Sequence, residues 1–567
     1  MTQSNQMNGG EAAVRLLQMH GVKHIFGLCG DTSLPFYDAL ARLDHGMTHV
    51  LTRDERHAAY MADCYARVSG RVGVCEGPSG GGATYILPGV VEANESSIPI
   101  LAITTDISVS SRGKFTLTEL DQTALFRPLT KWNKVIDRAA ELPSTFRSAF
   151  RAMTSGRAGA AHIGLPFDVQ RDPVDEADVR GDPALGVFPS RRFGPDPALV
   201  AACAEALLSA KEPTFVCGGA PVISGAEAEM IAIAELLEAP VATTISGQGT
   251  IPDNHPLAVG VVGSNGGVIP TRELLMGADL VCFVGCRAGS VTTERWRYPA
   301  PGKARIVQID ADPLVLGATY EAEVAVLGDA KLVLAALLVE LKSRIESPPA
   351  RKRGRAAVAA AKQAKFAAFD DLARSNARPI LPERVVAELN RVLPDDAIIV
   401  ADPGTPCPYF SAYYRCNRTG RHFISNRAHG ALGYSIAGAM GAYYGRPSSK
   451  VVSVMGDGSF AFACGEFETV VRLGLPVTFI VFSNACFGWI KAGQKTGYQG
   501  RYFSTDFTRT DHARVAEAFG LKAWRVEDPE QLGPVLKKAV ESGGPTLVDI
   551  IAQPLHEARA PVSEWVA

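Results

Sequence analysis

Between Lys450 and Trp489 the chain carries a carboxylate and a carboxamide suited to gripping a cation. They are Asp457, in the turn Gly456-Asp457-Gly458-Ser459, and Asn484, in Ser483-Asn484. A carboxylate oxygen and an amide oxygen, completed by waters and phosphate oxygens, make the hard octahedral shell that Mg²⁺ prefers. The two glycines let backbone approach an anion closely, and a helix starting near Ser459 aims free N–H groups at it. The predicted chemistry is a metal-bridged diphosphate. Asp-Gly is also common in ordinary β-turns, so the four residues alone decide little. Their surroundings decide more. Lys450–Met455 reads as a buried strand, a helix follows to Leu473 and stops at Gly474, and Pro476–Phe482 reads as the next strand. A βαβ unit of this kind sets Asp457 and Asn484 at the carboxyl ends of two parallel strands, on one edge of a sheet.

Three β/α blocks supply such elements. The first, about Met1 to Val179, has short strands such as Val72–Cys75 and Ile100–Thr104. It also has a helix over Glu55–Ser69, where Ala59, Ala62 and Ala66 recur at helical spacing. A polar stretch, Asp182–Pro195, reads as a linker. The second block, about Asp196 to Leu341, alternates the apolar runs Thr214–Cys217, Val241–Thr244, Leu280–Gly285 and Ile306–Ile309 with helices such as Ala226–Leu237, which implies a parallel sheet. A second linker, Lys342 to about Ala377, holds the basic run Arg351–Arg355, read as part of a solvated surface helix. The third block runs from about Ile380 to Ala552. It shares with the first the pattern of apolar strand, Gly-rich turn and helix.

Composition narrows the class. The chain has 567 residues, 47% hydrophobic and 20% charged, with a formal charge of −2. That balance lacks the concentrated basic surface that nucleic acid or an anionic membrane requires. The N-terminal stretch Met1–Glu11 is polar and shows no secretory leader, and no run of about 18 apolar residues suggests a membrane span. The 11 cysteines are scattered, form no C-x-x-C, and read as free buried thiols in a reducing cytoplasm.

The Gly-Asp-Gly turn followed by Asn484 resembles the signature of thiamine diphosphate enzymes, and the similarity runs along essentially the whole chain. It is nearest the group of acetolactate synthase, pyruvate oxidase and benzoylformate decarboxylase. The resemblance implies an α/β protein of three doubly wound parallel-sheet domains: a pyrimidine-binding domain over 1–181, a central domain over 196–341, a linker over 342–377 and a diphosphate-binding domain over 378–560. Position by position, it implies that Asp457, Asn484 and the Cys486 carbonyl hold Mg²⁺. Glu55, in Arg53-Asp54-Glu55-Arg56-His57-Ala58-Ala59, matches the carboxylate that activates the cofactor by sharing a proton with its pyrimidine nitrogen. Leu432 matches the apolar wedge that bends the cofactor, and the Gly430 carbonyl matches the group that holds its amine. Gly30, Ser79, Gly80, Gly404, Thr405, Gly456, Gly458, Ser459, Phe487 and Gly488 match further cofactor contacts. Because Glu55 and Asp457 fall in different domains, the resemblance implies at least a homodimer, expected as a homotetramer.

Several positions depart from the family. Cys29 and Gly81 replace prolines of the first-domain loops, and Thr405-Pro406 replaces Gln-His. On the substrate side, Leu117-Thr118-Glu119 stands for Phe-Gln-Glu of acetolactate synthases, Gly493 for a Trp, and Pro78 for the His of benzoylformate decarboxylases. Glu119-Leu120-Asp121-Gln122 is similar to the same region of oxalyl-CoA decarboxylases. Candidates for the substrate pocket are Cys29, Asp31, Leu117, Thr118, His429, Trp489 and Lys491. The central stretch Pro240–Gly267 is similar to one that holds FAD in acetolactate synthases, yet no G-x-G-x-x-G supports it. FAD, ADP, CoA and an empty groove stay open there. The expected activity is a 2-oxo acid carboligase or decarboxylase of acetolactate synthase type, in which an ylide attacks the 2-oxo acid, CO₂ leaves and the acyl unit passes to a second carbonyl. The alternatives are a simple 2-oxo acid decarboxylase, a 2-hydroxyacyl-CoA lyase or oxalyl-CoA decarboxylase, and a non-catalytic relative.

Overall fold

Three six-stranded parallel sheets carry the chain, with one small antiparallel pair, Gln6–Asn8 against Pro173–Asp175. They are seen in a computed structural model that describes residues 6–347 and 349–565. Met1–Asn5, the start of the polar stretch expected to carry no leader, and Pro348 of the predicted linker lie outside the described residues. The chain divides into two compact units. One comprises Met1–Arg191, Asn426–Ser448 and Gly465–Leu473, and the other comprises Arg192–Ser425, Ser449–Cys464 and Gly474–Ala567.

The first unit contains one sheet. Its strands lie in the order Thr48–Leu51, His24–Gly27, Gly73–Gly77, Ile100–Asp106, Ala161–Pro166, Trp132–Val135. Every residue of Gly73–Gly77, Ile100–Asp106 and Ala161–Pro166 is buried, as central strands covered on both faces must be. The helix Glu55–Ser69 is capped by Asp54, whose side chain accepts from the Arg56 N–H, and ends at Gly70 in the left-handed region at φ 69°. It packs against the helix Tyr434–Gly445 of the same unit. A Cβ at Gly441 would lie 2.1 Å from the Met61 carbonyl oxygen, so only glycine allows this approach. The Tyr434 hydroxyl donates to buried Asp63 at 2.5 Å across the contact.

The second unit holds two sheets. One has the order Ala258–Val261, Val241–Thr243, Pro213–Cys217, Leu280–Val284, Arg305–Asp310, Val324–Leu327. Its order reverses between Pro213–Cys217 and Leu280–Val284, the dinucleotide-binding arrangement. The other has the order Phe423–Ser425, Ile398–Ala401, Val451–Gly456, Thr478–Ser483, Thr546–Ile551, Lys522–Val526. Counted along the chain, its strand order equals that of the first unit's sheet.

Two expectations need correction. The single helix predicted up to Leu473 begins earlier, at Asp457, and is broken into Asp457–Ala463, a 3₁₀ turn Cys464–Glu466 and Phe467–Arg472. Gly465, a poor helix former, sits in the break. The supposed solvated linker helix is the 19-residue helix Arg355–Ala373, which buries Val358, Lys365, Phe369 and Ala373. The basic run before it is also engaged. Arg351 donates to the Leu237, Ala210 and Lys211 carbonyls, and Arg355 pairs with Glu238 at 2.9 Å. Arg351 thus caps the ends of the helices Pro197–Ser209 and Glu227–Leu237, while Lys352 and Arg355 remain exposed to solvent.

Candidate active site

In the second unit Val451–Gly456 and Thr478–Ser483 are adjacent parallel strands, with Gly456 in register with Phe482. Asp457 and Asn484 follow those strand ends, as expected. The Asp457 carboxylate is buried. Its Oδ2 accepts from the N–H groups of Asn484 (2.7 Å) and Ala485 (2.6 Å), and its Oδ1 from that of Gly458 (2.9 Å). Burial raises its pKa and these backbone donors lower it, leaving a net rise. Ala485 takes φ 57°, unusual for a residue with a side chain, and this twist turns two successive N–H groups onto Asp457. The Asn484 Oδ1 lies 3.3 Å from the Cys486 N–H, while its Nδ2 is buried without a hydrogen-bond partner.

Anion-binding features surround this pair. The helix Asp457–Ala463 begins at the turn, and a Cβ at Gly456 would meet nothing within 4 Å. Gly404 is likewise open and has φ 101°, which suits glycine. The Thr405 Oγ1 lies 3.1 Å from where a Gly488 Cβ would stand, and the Phe487 ring covers Gly458, so Thr405, Gly458, Phe487 and Gly488 belong to one neighbourhood. Ser459 is buried beside them. The donor set fits a hard divalent cation with a diphosphate: one carboxylate, one buried amide with an unmatched atom, and backbone left bare by glycine. Trp489 and Lys491 are engaged elsewhere. Trp489 packs edge-on against Trp565 at 5.2 Å, and Lys491 pairs with Asp506 at 2.6 Å.

The first unit holds Glu55 and the loops predicted to meet a cofactor. Glu55 opens its helix and is only 8% exposed, so burial raises its carboxyl pKa, opposed by its own N–H. The helix start is anchored by Glu466, fully buried, which accepts from the Arg53 N–H (2.8 Å) and contacts His57 Nδ1 (3.0 Å). The loops expected to touch a cofactor converge here. Cβ atoms at Gly30 and Gly82 would strike Pro78, one at Gly80 would strike Thr118, and Glu55 Oε1 lies 3.2 Å from the Gly82 position. Ser79 Oγ bonds Thr118 Oγ1 at 2.8 Å. Cys29 is half-buried with a raised pKa, Asp31 is exposed and accepts from the Thr32 N–H, and Leu117 is 83% exposed. Glu119 binds the Gly113 and Thr116 N–H groups and so shapes its own loop. In this unit too, Glu92 accepts from the Ala428 and His429 N–H groups, fixing the turn that contains exposed Gly430 and leads to half-buried Leu432.

Sequence reasoning missed two buried groups. Glu92 is held by Arg67 at 3.1 Å. Glu76 lies inside the strand Gly73–Gly77 with no exposure. The signal for Glu76 was present, because a lone carboxylate in an apolar strand demands partners.

Comparison with known proteins agrees with this arrangement. Residues 7–125, 200–337 and 402–550 match the N-terminal TPP-binding, central and C-terminal TPP-binding domains of thiamine pyrophosphate enzymes. The chain is 34% identical to the probable acetolactate synthase large subunit of Methanococcus aeolicus and 34% identical to that of Methanocaldococcus jannaschii, in each case over 97% of this chain and 92% of the relative. It is 28% identical to the acetolactate synthase isozyme 3 large subunit of Escherichia coli, over 94% of this chain and 92% of that protein. The chain belongs to the thiamine pyrophosphate enzyme family. Within it the chain is acetolactate synthase-like.

Proposed function

We propose that this protein is a thiamine diphosphate- and Mg²⁺-dependent enzyme that cleaves a 2-oxo acid and joins the acyl unit to a second carbonyl. The observation that carries this is the pairing of Asp457 with Asn484 at adjacent strand ends, in a chain that also buries Glu55 at a helix start. Asp457, Asn484 and the Cys486 carbonyl hold the cation. Gly404, Thr405, Gly456, Gly458 and Ser459 receive the diphosphate, and Gly430 and Leu432 position the aromatic part. When bound, thiamine diphosphate supplies a carbon nucleophile and an electron sink for the acyl unit. Glu55 holds the proton that this chemistry exchanges, and burial, which raises its pKa, makes it hold that proton more readily than an exposed carboxyl would. The domains are assigned as 1–181, 196–341 and 378–560, and the assembly as a homodimer or homotetramer. Among the described residues no helix is long and apolar enough to cross a membrane. A cytoplasmic location suits 11 free thiols.

Ligation is favoured over simple decarboxylation. The pairing of Lys491 with Asp506 and the edge-on packing of Trp489 against Trp565 leave few side chains to protonate an acyl intermediate. A product screen with 2-oxo acids and acyl-CoAs tests this: ligated product supports it and dominant aldehyde release refutes it. The central sheet has the dinucleotide-binding strand order, and absorbance of the purified protein in the flavin region decides whether FAD binds there. Glu55→Gln is expected to leave cofactor binding largely intact and to cut turnover by at least about a hundredfold. Full activity of that variant would remove Glu55 from its role.

A further inference from the structure

Glu76 is a fully buried carboxyl in the middle of a parallel sheet, and among the described residues no Lys or Arg pairs with it. Its contacts are hydroxyls. Ser33 Oγ donates to Oε1 at 2.8 Å and the Tyr37 hydroxyl to Oε2 at 2.6 Å. The same Tyr37 hydroxyl lies 3.0 Å from Nε2 of His49, and both Tyr37 and His49 are half-buried, so the chain of contacts reaches the surface of the first unit. On the other side Ser33 contacts Thr105 (3.2 Å), Thr105 contacts Thr32 (2.8 Å), and Thr32 contacts Ser79 (3.1 Å). Ser79 stands on the glycine-rich loop assigned above to the cofactor. Glu55 lies beside the residue after Glu76: a Cβ built at Gly77 would stand 3.2 Å from Glu55 Cγ. The titratable groups facing Glu76 are Tyr37 from the helix Leu34–Arg42, His49 from the strand Thr48–Leu51, Glu55 from its helix, Cys29 from the preceding loop, and Cys75 beside it on the strand.

We propose that Glu76 is a proton-holding positioning residue for Glu55, loaded from the protein surface through His49 and Tyr37. This rests on the role given to Glu55 above. In the loading step His49 takes a solvent proton at Nδ1 and gives its Nε2 proton to the Tyr37 oxygen. Tyr37 in turn gives its own hydroxyl proton to Glu76 Oε2. One N–H and two O–H bonds break, one of the O–H bonds in the solvent donor, and one N–H and two O–H bonds form, so the net result is one solvent proton on Glu76. Two buried carboxylates that feel each other's charge, as Glu76 and Glu55 do, cannot both ionise freely. With Glu76 protonated, Glu55 carries the charge alone. With Glu76 ionised, Glu55 holds its proton more tightly and exchanges it less readily. Burial, opposed by the Tyr37 and Ser33 hydrogen bonds and reinforced by the Glu55 charge, pushes the Glu76 pKa up to about 7, so the control operates near neutral pH.

The test uses full-length protein labelled with ¹³C-carboxyl glutamate and studied without cofactor by infrared titration. Two buried glutamate carboxyls, Glu76 and Glu383, should titrate near neutral pH; the Glu76 component should vanish in Glu76→Gln and move to higher pH in Tyr37→Phe, with the Glu383 component unmoved. An unchanged titration in Glu76→Gln overturns the proposal. In the loaded enzyme, Glu76→Gln should change the ratio of kcat/KM between mildly acidic and mildly alkaline pH by about tenfold, one unit of carboxyl coupling. If Glu55→Gln is inactive while Glu76→Gln keeps the parent profile, the relay fails and the reading of Glu55 survives. If Glu55→Gln is fully active, that reading fails whatever Glu76 does. Should Glu76→Gln not fold, Tyr37→Phe decides alone: an unmoved infrared titration refutes the relay.

Discussion

Replacing Glu76 with Gln should flatten the pH dependence of stability. The Glu76 carboxyl is pushed from an ordinary value of 4.5 up to about 7 in the folded protein. A carboxyl whose pKa is raised on folding binds its proton more tightly in the native state. The native state is therefore favoured at low pH and loses that advantage as pH rises from about 4.5 to about 7, with no further change above. The shift is about 2.5 units, and at about 1.4 kcal/mol per unit the loss is on the order of 3 kcal/mol. Gln fills the same space but does not titrate. Its NH₂ group must turn the Tyr37 or Ser33 hydroxyl into an acceptor, which costs about 1 kcal/mol at every pH. The slope is therefore the observable, and the absolute level is not. Calorimetric midpoints of the full-length chain, measured from about pH 4.5 to about pH 8, provide it. The parent should fall relative to Glu76→Gln across that window and then run parallel to it. Tyr37→Phe removes a hydrogen bond that lowers this pKa, so its fall should extend to higher pH. Parallel curves for the parent and Glu76→Gln throughout would refute the reasoning.

Other substitutions separate binding from folding. Gly456→Ala places its Cβ where no atom lies within 4 Å, so thermal stability without cofactor should be unchanged while thiamine diphosphate affinity, measured by calorimetric titration, falls at least tenfold. Ala485 at φ 57° is strained, so Ala485→Gly should stabilise by up to about 1 kcal/mol with Mg²⁺ affinity kept, and Ala485→Val should destabilise by about 1–2 kcal/mol and weaken Mg²⁺ binding. Glu466→Ala strips the partners of the Arg53 N–H, His57 and Thr469, and should cost about 1–3 kcal/mol in denaturant unfolding while increasing proteolysis near residue 55.

The half of the site proposed to hold a metal was legible because its logic is local. Strand, turn, helix and strand follow in order between residues 450 and 484, and adjacency in a parallel sheet does the rest. Glu55 was legible only through resemblance, since an acidic residue in a first helical turn is ordinary. The broken helix after Asp457 was not foreseen because Gly465 sits inside an otherwise sound helical pattern. The Arg351–Arg355 run misled because its partners, the carbonyls of residues 210, 211 and 237 and the Glu238 carboxylate, lie more than a hundred residues away in sequence. The Glu76 network was hidden for the same reason: Ser33, Tyr37, His49 and Thr105 reach it from four separate elements.

On the proposed reading, the two sheets with equal strand order let one topology serve two chemistries. In each, the third strand along the chain runs into a glycine-rich turn and a short helix: Gly73–Gly77 into Gly81–Tyr85, and Val451–Gly456 into Asp457–Ala463. Each turn is flanked by a buried carboxyl, and each carboxyl must be answered because an isolated buried charge is too costly to keep. Asp457 has three backbone N–H donors and a carboxamide at the neighbouring strand end, so it can stay ionised and take a cation. Glu76 has two hydroxyl donors and no cation to hand, so its remaining recourse is a proton. The fold supplies the same edge twice. On that reading, the partners of the carboxyl determine whether the edge holds a metal or a proton.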